Sequence, residues 1–285
     1  MSANNLVLLA TYWNEIDWID PSLEQIDLIR PVEAIICDGC FDPTYPNMST
    51  DGTREKIEAF AAQRPWVKMI TAKRLTRPGH VRYWFHDYHG AEPRISTLPA
   101  RLIGLAKLRF HPYRLNQAAT FNHMISISEN FRPGNWVMTY DCDQFYSDSL
   151  LEKFKSLSAD TPFDILGGHE YTFFKSFHTY TDKYEARIHN NLPHKIYRTS
   201  RFVPTRHLVV QKGVRYREYP DWAWISSDDV YFHYRLRPAE REQAGYALGD
   251  RKPPAAHRCE VWPYEGRHPS VIQKTKLAGV RAEQP

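Results

Sequence analysis

Long apolar runs are missing from this chain. Stretches such as Leu6 to Ala10 stop far short of the ~20 residues a membrane-spanning helix needs. The N-terminus has no basic region followed by an apolar core, so no secretory leader is expected and the chain reads as soluble and cytoplasmic, free or peripheral to a membrane. Cysteine is scarce. Cys37, Cys40, Cys142 and Cys259 contain one C-x-x-C with no second pair beside it, which excludes the usual structural zinc spacings and fits reduced cytosolic thiols. Glycine signatures are absent as well: there is no dinucleotide fingerprint, no Walker loop and no G-x-S-x-G elbow, and His169-Glu170 lacks the second histidine of a zincin. Neither sign of charge dominates. With 37 basic and 33 acidic residues the formal charge is +4, compatible with a nucleotide, an anionic lipid surface or nucleic acid, and too small to choose among them.

What is present is a large globular chain. Its 285 residues and 14% aromatic content are enough to bury a core in one large domain or two small ones. Leu6 to Ala10 reads as a buried strand ending in the polar tip Thr11-Tyr12-Trp13-Asn14-Glu15. Asp20-Pro21-Ser22 then opens a helix with Leu23, Ile26 and Ile29 on one face, and Ala34 to Cys37 forms a second strand closed by Asp38-Gly39. Strand, helix and strand at this spacing make a βαβ unit with a parallel pair. A helix over 54–63, a strand over 67–71, a helix over 115–127 and a helix over 149–157 extend the pattern, and an open α/β sheet is the expected architecture.

In such sheets ligands gather beyond the carboxyl ends of the strands, where Thr11 to Glu15 and Asp38 would meet a third tip. That tip is the run Trp136 to Phe145, in which a strand-forming pentapeptide leads into Asp141-Cys142-Asp143. If the extended backbone continued, both carboxylates would share a face, and their repulsion would be relieved by a hard divalent cation. Further on, Ser226-Ser227-Asp228-Asp229 precedes the apolar run from Val230, which contains His233 and Arg235. Between the tips, Lys73 to Arg114 interleaves arginines with aromatic residues, a composition suited to phosphates and stacked rings.

Taken in order, the tip Thr11 to Glu15, Asp38-Gly39 with Ser49-Thr50-Asp51-Gly52-Thr53, Asp141-Cys142-Asp143, and Asp228-Asp229-Val230 resemble the nucleotide-sugar glycosyltransferases of the GT-A fold, family 2 in particular. Two departures stand out: Cys40 to Met48 separates Gly39 from Ser49, and Asp228 replaces the usual Glu. The resemblance implies a Rossmann-like open mixed sheet flanked by helices, with a variable C-terminal acceptor region. It implies one transferase domain over 1–245, its nucleotide-binding part about 1–150 and its acceptor part about 151–245, followed by an irregular extension over 246–285. It also implies that Thr11, Asn14, Glu15 and Asp38 line the nucleotide pocket, with Asp38 reading the base, that Asp141 holds ribose, and that Asp143 with Asp141 holds Mn²⁺ or Mg²⁺ on the diphosphate. His233 is a third candidate ligand, Asp229 the general base with Asp228 as its neighbour, and Glu170 a reserve base. The donor so implied is a nucleotide-diphosphate sugar such as a UDP-sugar, and the acceptor a cell-surface glycan or lipid-linked hydroxyl. Two other readings stay open: transfer to a hydroxylated base of DNA, as in a phage enzyme acting in its host's cytoplasm, and a non-catalytic domain that binds nucleotide or glycan.

Overall fold

The structure, a computed structural model, describes residues 4–83, 112–162, 165–167, 169–174, 177–181, 194–201, 204–205, 208–209, 223–224, 230–235 and 262–274. Its first two strands carry continuous buried runs, as strands covered on both faces must. β1 (Leu6–Tyr12), β2 (Glu33–Asp38) and β3 (Val67–Thr71) alternate with α1 (Ile19–Ile29) and α2 (Thr53–Ala62). In α1 the spacing of Ile19, Leu23, Ile26 and Ile29 buries one face, Pro21 sits in the first turn, and Arg30 ends the helix in the left-handed region at φ 51°. α2 is preceded by Gly52, whose φ of 95° favours glycine, and Asp51 Oδ1 accepts the Thr53 amide at 3.0 Å.

After α3 (Arg77–Tyr83) and α4 (Pro112–Ile127) the chain enters β4 (Trp136–Asp141), β5 (Gln144–Tyr146) and α5 (Asp148–Ser156), the last capped by the Ser147 side chain. The strands β6 (Ile165–Gly167), β7 (His169–Phe174), β8 (Thr179–Thr181), β9 (His194–Arg198), β10 (Pro204–Thr205), β11 (Leu208–Val209), β12 (Ala223–Trp224), β13 (Val230–Arg235) and β14 (Trp262–Pro263), a 3-10 turn at Thr199–Arg201 and the short helix α6 (Ser270–Gln273) complete the described elements.

Among the described residues the principal sheet runs β12-β6-β9-β4-β1-β2-β3. β4, β1, β2 and β3 are mutually parallel, and β9 lies antiparallel between β4 and β6, so this is an open mixed sheet. Helices cover both faces. Leu8, Ile36, Met138 and Tyr140 pack under α1, α2 and α5, while Val7, Leu9, Ile35 and Val137 pack under Phe121 and Met124 of α4. Truncating one such side chain, Leu8 for example, is expected to cost about 2–5 kcal/mol.

A second sheet runs β14-β8-β7-β13-β5. β5 follows β4 after only Cys142 and Asp143, so the chain passes from one sheet to the other at that turn. The segment 262–274, expected as part of an irregular extension, is ordered by docking: β14 pairs with β8, and Val271 and Ile272 are buried in the main core. His268 accepts or donates to Tyr234 Oη at 2.7 Å, and Lys274 meets Glu24 at 2.8 Å. Short, proline-containing segments carry little periodicity, which is why packing rather than local preference had to reveal this one.

Candidate functional site

The parallel register brings the strand tips level. Thr11 lies opposite Cys37 on one side and Asp141 on the other, and Asp38 opposes both Tyr12 and Thr71. Side chains alternate, so Thr11 and Asp141 lie on the α4 side while Asp38 and Tyr12 lie on the α1 side.

The loop before α2 is fastened to the tip of β1. Asn14, at φ 51°, accepts the Thr50 amide at 2.9 Å through Oδ1 and donates its own amide to Ser49 Oγ at 2.8 Å. The Glu15 amide donates to Thr53 Oγ1 at 2.8 Å and the Ile16 amide to Asp51 Oδ2 at 3.0 Å. Beneath that loop Asp38 is fully buried. Its carboxylate accepts from Ser49 Oγ at 2.5 Å, from the Ser49 amide at 3.2 Å and from Arg54 Nη1 at 3.2 Å.

The segment from Cys40 to Met48 is a braced cap. Arg74 donates to the carbonyls of Cys40, Tyr45 and Pro46, Asn116 Nδ2 donates to the Phe41 carbonyl at 2.8 Å, and Trp13 meets Tyr45 edge-on at 5.5 Å. Gly39 is required where the cap leaves β2, because a Cβ there would sit 2.6 Å from Ala72 Cβ. With three of its five N–H groups on these carbonyls, Arg74 braces the cap.

At the third tip the extended backbone ends at Asp141. Cys142 and Asp143 form a turn, so strand alternation does not put the two carboxylates on one face, and the expectation based on it is corrected. Asp141 is half-buried at the strand end, Cys142 is packed into the core, and Asp143 is 1% exposed. Asp143 turns toward β13: its carbonyl accepts the Tyr234 amide at 2.8 Å, and its Oδ2 lies 3.5 Å from His233 Nε2. Two ligands on one octahedral ion, about 2.1 Å from it and at right angles, lie about 3 Å apart, so this carboxylate and imidazole are close to the spacing a shared cation requires. Among the described residues no group of three or more His, Cys, Asp or Glu side chains stands ready as a complete metal cage.

A polar network lies under the turn. Tyr12 Oη and Ser22 Oγ are 2.9 Å apart, and Gln25 Nε2 donates to Tyr140 Oη at 2.6 Å. Burial pushes the phenols of Tyr12, Tyr140 and Tyr146 well above their ordinary value, reinforced at all three by nearby groups that become negative, so all remain neutral, and Tyr12 and Tyr140 serve the network as hydrogen-bonding groups.

Of the expected site residues, Thr11, Asn14, Glu15, Asp38, Asp141 and Asp143 come from the adjacent tips of β1, β2 and β4, and His233 reaches Asp143 from β13. Asp228 and Asp229 lie outside the described residues, just before Val230 in sequence. Glu170 lies within β7 rather than in a turn after a strand. Sequence reading missed Gln25 and Arg54. Arg54 had a readable signal, four residues before Glu58, with which it pairs at 2.8 Å; Gln25 had none, because its partners are more than a hundred residues away.

These features define an α/β protein with an open mixed sheet flanked by helices and polar strand tips converging on one edge. The sequence matches no protein-family model and no curated protein. Among solved structures it is similar to the mannosyltransferase PcManGT from Pyrobaculum calidifontis in complex with GDP-Man and Mn²⁺, with 14% identity and a TM-score of 0.37 over 80% of this chain. The chain spans 58% of the length of that protein. No helix among the described residues is long and apolar enough to cross a membrane.

Proposed function

We propose that this chain is a metal-dependent inverting glycosyltransferase of GT-A type, moving a sugar from a nucleotide-diphosphate donor to an acceptor hydroxyl on a cell-surface glycan. The observation that carries the reading is the Asp143–His233 approach beside the level tips of β1, β2 and β4. Parallel α/β sheets bind ligands at that edge, and an O,N donor pair suits Mn²⁺.

In this reading Thr11, Asn14 and Glu15 border the nucleotide, and Asp38 acts through the Ser49 loop that it anchors. Asp141 takes ribose; Asp143 and His233 would hold Mn²⁺ or Mg²⁺ together with oxygens of the diphosphate, with Asp141 at the neighbouring strand tip as the further candidate ligand. A cation held there would supply positive charge to offset that of the leaving diphosphate. Asp229, adjoining β13 in sequence, is the base. The acceptor oxygen attacks the anomeric carbon from the side opposite the diphosphate, the bond to the phosphate oxygen breaks with its electron pair, and the hydroxyl proton passes to the Asp229 carboxylate. Asp228 is the acid beside it in sequence.

A thermal-shift screen of UDP-, GDP-, CMP- and TDP-sugars with and without Mn²⁺ tests this. One nucleotide class should raise Tm only with the metal, and Asp143→Ala should abolish that shift while keeping its fold. A metal-independent response to every donor, or none to any, removes the reading.

A further inference from the structure

The turn that carries Asp141 and Asp143 is held from below by a side chain on a different element. Gln25, on α1, is fully buried. Its Nε2 donates to Tyr140 Oη at 2.6 Å and to the Gln144 carbonyl at 3.1 Å, and its Oε1 accepts the Tyr146 amide at 2.8 Å. The orientation of the amide is dictated by the backbone, since a carbonyl can only accept and an amide N–H can only donate. One carboxamide thus grips the last residues of β4 and both ends of β5, on either side of Cys142-Asp143.

The grip is itself braced. Tyr140 Oη, receiving from Gln25, donates to the Ser22 carbonyl at 3.4 Å, and Ser22 Oγ meets Tyr12 Oη at 2.9 Å, so α1, β1 and β4 share one buried network. From the other side the Tyr234 amide holds the Asp143 carbonyl. An apolar side chain at position 25 would pack as well, but would strand the Gln144 carbonyl and Tyr146 amide in the core. Groups that orient a ligand-bearing segment without touching the metal commonly govern its affinity.

We propose that Gln25 is a positioning residue that sets the Asp141–Asp143 turn and thereby the affinity for a divalent cation bound with a nucleoside diphosphate. This rests on the glycosyltransferase reading only for the cation; the clamp on the turn stands on the hydrogen bonds alone.

The test compares the full chain with Gln25→Met, Gln25→Glu and Tyr140→Phe, the last a mild change in case Gln25→Met fails to fold. Amide hydrogen exchange is followed over 138–147, and Mn²⁺ binding by electron paramagnetic resonance with UDP or GDP present. Gln25→Met should keep its helix signal, speed exchange selectively in 138–147, and weaken Mn²⁺ binding about 10–100-fold. Tyr140→Phe should act in the same direction less strongly. Gln25→Glu should regain protection as pH falls, because a protonated carboxyl can again donate to the Gln144 carbonyl.

Unchanged exchange over 138–147 in both Gln25→Met and Tyr140→Phe, or equal loosening of β1 and β2, overturns the clamp. Loosening without weaker Mn²⁺ binding overturns its link to the cation. If the unaltered chain binds no Mn²⁺ with either nucleotide, the cation part falls together with the transferase reading, and exchange still decides the clamp.

Discussion

Replacing Asp38 separates a residue that reads a base from one that holds the loop around it. The carboxylate is fully buried and accepts from Ser49 Oγ, the Ser49 amide and Arg54 Nη1. Asp38→Asn keeps the shape and removes the charge opposite Arg54. Breaking a buried pair costs about 3–5 kcal/mol when the surviving charge has no other recourse. Here Arg54 is 29% exposed and also pairs with Glu58, so the cost falls to about 2–3 kcal/mol. At roughly 2–3 °C per kcal/mol for a chain of this size, Tm should drop about 4–9 °C.

Because Ser49 and Thr50 also fasten Asn14, the β1 tip should loosen with it, and stabilisation by UDP and GDP should decline to a similar degree. The assay is thermal unfolding of both proteins with and without each nucleotide. A Tm within about 1 °C of the unaltered protein, with a changed preference between UDP and GDP, would refute the anchoring argument and assign Asp38 to direct base contact.

Two further substitutions probe the frame around the site. Burial alone would raise the pKa of Glu33, but hydrogen bonds from Ser128, Lys68 and the amides of Asn130 and Glu129 outweigh it and hold the carboxyl below its ordinary value. Its stabilisation is therefore present above the ordinary glutamate range and lost as pH falls through the depressed pKa; Glu33→Gln should cost about 1–3 kcal/mol in urea unfolding at pH 7 and much less in acid, and an equal cost at both pH values would contradict this. Ile272→Ala should cost about 2–4 kcal/mol, because Ile272 is fully buried in the main core, and a cost under about 0.5 kcal/mol would show that 262–274 does not dock as described.

By itself the sequence determined the elements whose signal is local. Leu6 to Ala10, Ala34 to Cys37 and Trp136 to Tyr140 are apolar runs too short for membrane spans, and they became the parallel centre of the sheet, with helices of the expected period on both faces. Convergence of the polar tips followed, since parallel strands must end on the same edge.

Tertiary structure decided what depends on distant partners. Strand alternation placed Asp141 and Asp143 together on one face, but the chain leaves the first sheet at Cys142, and it was pairing of β5 with β13 that brought Asp143 to His233. Asp38 reads in sequence as a polar tip, and only folding buries it beneath Ser49 and Arg54. Gln25 reads as one more residue of an amphipathic helix. Its partners at 140, 144 and 146 exist only once α1 lies beneath that turn, because hydrogen-bond demand in a core is set by which backbone groups are buried together, and no local pattern encodes that.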